Sequence, residues 1–142
     1  MKPVSELLKN RGPSVWRITP EATVFDALHL LAEHDVGALM VMQDDRLLGI
    51  FSERDYTRKI ALQGRDSRHT LVKEVMTPDV LVVKPGTDMR ECMSLMSQRK
   101  IRHLPVVEGA TVVGMLSIRD LMDDIIADDQ LTIAQLQSYI HG

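Results

Sequence analysis

A chain that is written twice has few folds open to it, and this chain of 142 residues repeats itself at an offset of 65. Pro20 falls on Pro85, Leu30 on Leu95, Leu39 on Leu104 and Val41 on Val106. Gly49, Ser52, Arg54 and Asp55 then fall on Gly114, Ser117, Arg119 and Asp120, with no gap between the first pair and the last. That is eight identities in 36 positions, where composition alone would give about two. Other pairs are conservative, such as Val36 with Ile101. Self-similarity of this kind marks one supersecondary unit used twice.

Each copy carries the same pattern. Apolar residues recur at Val24, Ala27, Leu28 and Leu31, and again at Met89, Cys92, Met93 and Met96. Those i, i+3, i+4, i+7 spacings predict a helix with one buried face. Short apolar strands follow at 37–42 and 104–107, then turns ("QDDR", "EGAT") and second strands at 47–51 and 112–116. A short strand, "VWRI" or "VLVV", is expected ahead of each helix. The unit is β-α-β-β-α, and one such unit of about 55 residues has too little core to be secure alone. The expected fold is therefore α/β (α+β), two tandem β-α-β-β-α repeats packed sheet to sheet with pseudo-twofold symmetry.

Repeat 1 is expected over 4–65, repeat 2 over 72–129, and a C-terminal helix over 130–142, with Ile133, Leu136 and Ile140 on one stripe. A short helical piece, "VSELL" or "VKEVM", precedes each copy. Pro20 lies twelve positions after Leu8 but Pro85 only nine after Met76, so the first copy has a longer approach. The polar stretch 63–70 reads as a surface loop.

A net charge of −3 gives no basic footprint for nucleic acid. Neither a membrane-spanning run nor a secretory leader is expected. One cysteine, Cys92, excludes an internal disulfide and suits a reducing cytoplasm; its place on a buried helical face makes it packing. The five histidines lack metal-ligand spacing, and "DDIIADD" lacks the alternating ligands and glycine of a calcium loop. No nucleophile-base set, Walker A or dinucleotide fingerprint is present, so no enzymatic activity is expected.

Chemistry concentrates at "GIFSERD" and "GMLSIRD". Ser-x-x-Asp before a helical pattern is a capping box. The same turn offers helix N-terminal N–H groups, a hydroxyl, an arginine and a carboxylate, which together suit a phosphate and a vicinal diol. Spacing alone leaves both readings open.

The doubled G-h-h-S-x-x-D, "VMTP" leading the second copy and "RHLPVV" on a strand resemble paired cystathionine β-synthase (CBS) domains, a Bateman module. The resemblance spans roughly 4–129, and small stand-alone bacterial proteins of this family look similar through the tail "QLQSYIHG". It implies a cytoplasmic regulatory module that binds adenine nucleotides in two clefts between the repeats: AMP first, with NAD(H), ADP and ATP within the implied set. By resemblance the aspartate holds the ribose diol and the serine lies near the phosphates. One implied site gathers Ser14, Val15, Trp16, Val36, Gly37, Met115, Ser117, Arg119 and Asp120. The other gathers Ile50, Ser52, Arg54, Asp55, Val80, Leu81, Ile101, Arg102 and His103.

Arg102-His103 replaces Gly37-Ala38, which predicts a compact, highly charged phosphate at the Asp55 site. The longer approach with Trp16 predicts room for a larger ligand, a dinucleotide included, at the other; Trp16 reads equally as core. Arg102 and His103 read equally as a strand-end cap. The resemblance also implies a homodimer and a regulated partner protein that the sequence does not name. The alternative is a structural adaptor or dimerisation protein with no bound nucleotide.

Overall fold

A computed structural model describes residues 2–11, 16–128, 136–137 and 140. It divides into two units, Val15–Leu81 with Gly109–Val112, and Met1–Ser14 with Val82–Glu108 and Val113–Gly142.

In the first unit, β1 (Arg17–Ile18) runs parallel to β2 (Ala38–Gln43), with Ile18 opposite Val41. β2 pairs antiparallel with β3 (Arg46–Ser52), Leu39 lying opposite Phe51. Helix α2 (Val24–His34) starts at Thr23, whose Oγ1 accepts the Asp26 N–H at 3.1 Å. It buries Val24, Ala27 and Leu31, with Leu28 half-buried against the same core, as the periodicity predicts. Leu39, Val41, Phe51 and Ile60 complete that face.

The second unit repeats the plan with α5 (Met89–Arg99), β5 (His103–Glu108), β6 (Thr111–Ser117) and α6 (Ile118–Asp128). Met89, Cys92 and Met96 are buried and Met93 half-buried. Both long helices end alike. Asp35 and Lys100 take left-handed conformations (φ 51° and 53°), and the next N–H reaches back five residues, Val36 to Leu31 and Ile101 to Met96, each at 3.1 Å. These Schellman turns aim the chain into β2 and β5.

The strands expected at 15–18 and 80–83 are shorter than the sequence suggests. Val15 lies outside the described residues, leaving Arg17–Ile18. In the second copy only Val83 pairs, giving its N–H to Pro105 O (3.0 Å) and accepting from Val107 N (2.8 Å). One inward side chain, Ile18 or Val83, fills the site before Pro20 or Pro85, which has no N–H to extend the ladder.

The helical pieces upstream of the copies are exchanged. Helix α1 (Val4–Arg11) packs within the second unit, where Val4 N donates to Thr87 O and Ser5 N to Pro85 O, both at 2.9 Å. Helix α4 (Val72–Val75) packs within the first, where Val72 N donates to Ala22 O at 2.8 Å and Lys73 N to Pro20 O at 3.1 Å. Thr77–Pro78 then forms β4, an edge strand antiparallel to β3. A four-residue helix has no stability of its own. Val72 and Val75 hold α4 by burial in the neighbouring copy's core.

Candidate functional site

Each Ser-x-x-Asp segment forms the turn its spacing predicts. Ser52 ends β3 in an extended conformation ahead of the short helix α3 (Glu53–Asp55), and its Oγ accepts the Asp55 N–H at 3.2 Å. Asp55 Oδ2 accepts in return from Ser52 N at 2.9 Å and from Ser52 Oγ at 3.0 Å. In the second unit Ser117 N donates to Asp120 Oδ2 at 2.8 Å, and Asp120 N to Ser117 Oγ at 3.1 Å. These are reciprocal capping boxes, each satisfying donors at a helix start. The first helical N–H is used alike in both: Glu53 N donates to Gly37 O (3.0 Å) and Ile118 N to Arg102 O (2.9 Å). The residue leading into β2 or β5 is thereby fixed beside the turn.

Alternation along β3 and β6 sorts the apolar pair inside each motif. Phe51 and Leu116 are fully buried, while Ile50 and Met115 take the opposite face, with Ile50 nearly buried and Met115 half-buried. Of the expected site residues, Trp16, Val36, Gly37, Ile50, Ser52, Arg54, Asp55, Val80 and Leu81 lie in the first unit. Ile101, Arg102, His103, Met115, Ser117, Arg119 and Asp120 lie in the second. Ser14 and Val15 fall outside the described residues. Trp16 is 37% exposed and stacks on His34, with ring centroids 3.5 Å apart; it is a surface ring rather than a core one.

Sequence reasoning missed the partners of Asp55. This carboxylate is buried, and its Oδ1 accepts from Thr77 Oγ1 at 3.0 Å and from the Lys59 ammonium at 3.1 Å. Lys59 Nζ also donates to Val75 O at 2.9 Å. The i, i+4 spacing of Asp55 and Lys59 was a usable signal; nothing in the sequence pointed to Thr77. Beyond Asp55 the helix widens into a π-helical turn, Tyr56–Ala61, with Leu62 N bonded to Thr57 O at 3.0 Å, where α6 continues as ordinary α-helix.

His103 feels three influences. Burial pushes its pKa below the usual imidazole value, Asp120 opposes that, and Arg102 reinforces it. At neutral pH it is an uncharged donor and acceptor, and it stands within the electrostatic reach of Asp120.

Burial also pushes the Cys92 thiol up to about 11, with Glu91 and Asp88 adding to the shift. A group raised above its unfolded value stabilises the fold below the unfolded pKa, and that contribution is lost as pH climbs through the folded one. The thiolate fraction at pH 8 falls about a hundredfold, partly offset by the greater nucleophilicity of a more basic thiol. Alkylation of native protein by iodoacetamide at pH 8 is expected to run at least about tenfold slower than in urea, which mass spectrometry of timed samples will measure. Equal rates would contradict the packing role.

Among the described residues, no cluster of three or more His, Cys, Asp or Glu could hold a metal ion, and no helix is long and apolar enough to cross a membrane. The family model described as "CBS domain" matches twice, over residues 4–62 and 72–127. The chain belongs to the CBS-domain family. The CBS domain-containing protein CBSX3, mitochondrial, of Arabidopsis thaliana is 36% identical, over 98% of this chain and 72% of its own. A protein with CBS domains from Burkholderia ambifaria is 42% identical, with a TM-score of 0.87 covering 91% of this chain and 97% of that one. A hexameric CBS-CP12 protein from bloom-forming cyanobacteria is 29% identical at a TM-score of 0.79, covering 94% and 75%. None of the three is named for a reaction. The mixed α/β fold and its two CBS repeats are as the sequence predicts.

Proposed function

We propose that this CBS pair is an adenine-nucleotide-sensing regulatory module of the cytoplasm, with no catalysis of its own. The observation that carries this reading is the twice-built turn, in which Ser52 with Asp55 and Ser117 with Asp120 place a hydroxyl and a carboxylate at a helix start. A carboxylate suits a ribose diol, and a helix start suits phosphate. AMP is the first candidate, with ADP, ATP and NAD(H) sharing the same adenine and ribose chemistry. The hexamer of the cyanobacterial relative supports self-association, which we assign as a homodimer that presents the nucleotide signal to a partner protein. Signalling requires that nucleotide bind two conformations with different affinity.

Thermal unfolding across AMP, ADP, ATP, NAD and NADH tests the proposal. A ligand at ten times its dissociation constant adds about 1.4 kcal/mol, a Tm rise of about 3–6 °C for a chain of this size. A flat profile across the panel would favour the structural adaptor instead.

A further inference from the structure

We propose that copies of this chain meet through unlike faces: the helical segment 53–62, which closes the first repeat, docks on α6, which closes the second repeat, of another copy. Self-association itself is the reading proposed above, on which this rests; the surfaces that meet are what the two repeats now specify.

The offset of 65 lays these two closing helices on each other. On the first, Arg54, Arg58 and Leu62 follow one another at i, i+4 and i+8, and all three are exposed. Leu62, at 77%, is the most exposed large apolar side chain among the described residues. On α6, Arg119, Asp123 and Ile126 follow at i, i+4 and i+7, and all three are exposed, Ile126 by 47%. Such spacings place each set on one outer face. Both faces begin with an arginine and end on an apolar side chain. They differ in the middle, where Arg58 corresponds to Asp123 and its neighbour Lys59 to Asp124.

The first repeat accounts for its own cations, while the second does not account for its acids. Arg58 and Lys59 come three and four residues after Asp55, where opposite charges support a helix; Lys59 reaches that carboxylate at 3.1 Å. Asp123 and Asp124 come three and four residues after Asp120, where like charges weaken one. α6 therefore carries acids that its own helix disfavours, one turn before an isoleucine that its own core leaves out. A single exposed apolar side chain needs no explanation. Here there are two, each one turn beyond a charge of opposite sign, so the faces are complementary. Pairing like with like would set Arg58 against Arg58 and Asp123 against Asp123, and juxtaposed like charges exclude a partner. Helices that cross at an angle touch over a turn or two. Arg58 with Leu62 can thus meet Asp123 with Ile126 while Arg54 and Arg119 diverge. A twofold pair makes such a contact twice, each residue meeting its opposite number on the other copy.

Sedimentation velocity on the full chain tests this, with wild type, Arg58→Glu, Asp123→Arg, the double variant, and an equimolar mixture of the two single variants. Each single variant alone is expected to associate about tenfold or more weakly than wild type. The double variant and the mixture are both expected to regain wild-type affinity, because every contact again joins one cation to one anion. Leu62→Ser should weaken association while leaving the urea midpoint unchanged, since the side chain is exposed in the single chain; this variant decides the matter if a charge reversal impairs folding. Single variants that associate like wild type would overturn the unlike pairing and leave a dimer joined elsewhere. Loss without recovery in the double variant and the mixture would overturn it as well. A wild-type chain that stays monomeric at the highest concentration reached would overturn the self-association reading and this pairing together.

Discussion

Replacing Phe51 with alanine is expected to destabilise the protein by about 3–5 kcal/mol, a large share of the roughly 5–15 kcal/mol that holds a typical domain folded. Phe51 has no exposed surface and is among the largest of the fully buried side chains. It faces Leu39 across the β2–β3 ladder and shares a core with Ile60, Val72 and Val75. Those neighbours come from three elements that alanine would leave partly unpacked, so the cost includes the cavity as well as lost transfer energy. The repeat supplies the control. Its counterpart is Leu116, so Phe51→Leu keeps a large apolar side chain there and should cost about 1–1.5 kcal/mol. Urea unfolding followed by circular dichroism reads both. A Phe51→Ala variant within about 1 kcal/mol of wild type would mean that this core is not closed around the ring.

The repeat was the most legible feature, because it needs only one offset and is checked at many positions. From it followed the two helices, whose buried residues match the periodicity at Val24, Ala27 and Leu31 and at Met89, Cys92 and Met96. The capping boxes were legible for a similar reason: Ser and Asp three apart satisfy each other's backbone groups, so the spacing nearly dictates the contact. Strand extent was less so. "VLVV" has strong β propensity, yet only Val83 pairs, since propensity reports how well a residue suits a sheet and not whether a partner strand reaches it.

What the sequence hid is long-range. "VSELL" and "VKEVM" read as the openings of their own copies, but each packs on the other copy, because a short amphipathic piece has no preference until an apolar groove is in place. The Thr77–Asp55 bond follows from that exchange, since β4 lies against β3 only because α4 precedes it there. The left-handed residues were equally hidden: Asp35 and Lys100 occupy positions where glycine would have announced a helix end. Thus the candidate turns could be found from the sequence, while the long-range partner of Asp55, Thr77, could not.

The exchange also predicts that the two motif glycines tolerate alanine very differently. A Cβ on Gly49 would lie 2.5 Å from the Thr77 carbonyl oxygen, with Met76 Sδ at 3.0 Å. The first obstacle is backbone, paired across β3–β4 at Ile50–Thr77 and Gly49–Pro78, so it can yield only by pushing the edge strand away. A Cβ on Gly114 would meet Leu8 Cδ2 at 2.7 Å, the end of a side chain that can change rotamer. Overpacking against fixed neighbours costs about 1–3 kcal/mol, and Gly49→Ala is expected at the upper end of that range because displaced β4 also takes Thr77 Oγ1 from Asp55. Gly114→Ala is expected to lose under about 1 kcal/mol, since relief of backbone entropy in the unfolded chain offsets a soft clash. Thermal unfolding of the two variants side by side gives the answer. Equal losses would show that β4 can move as freely as the tip of Leu8, and the glycine at 49 would then owe nothing to the exchanged segment.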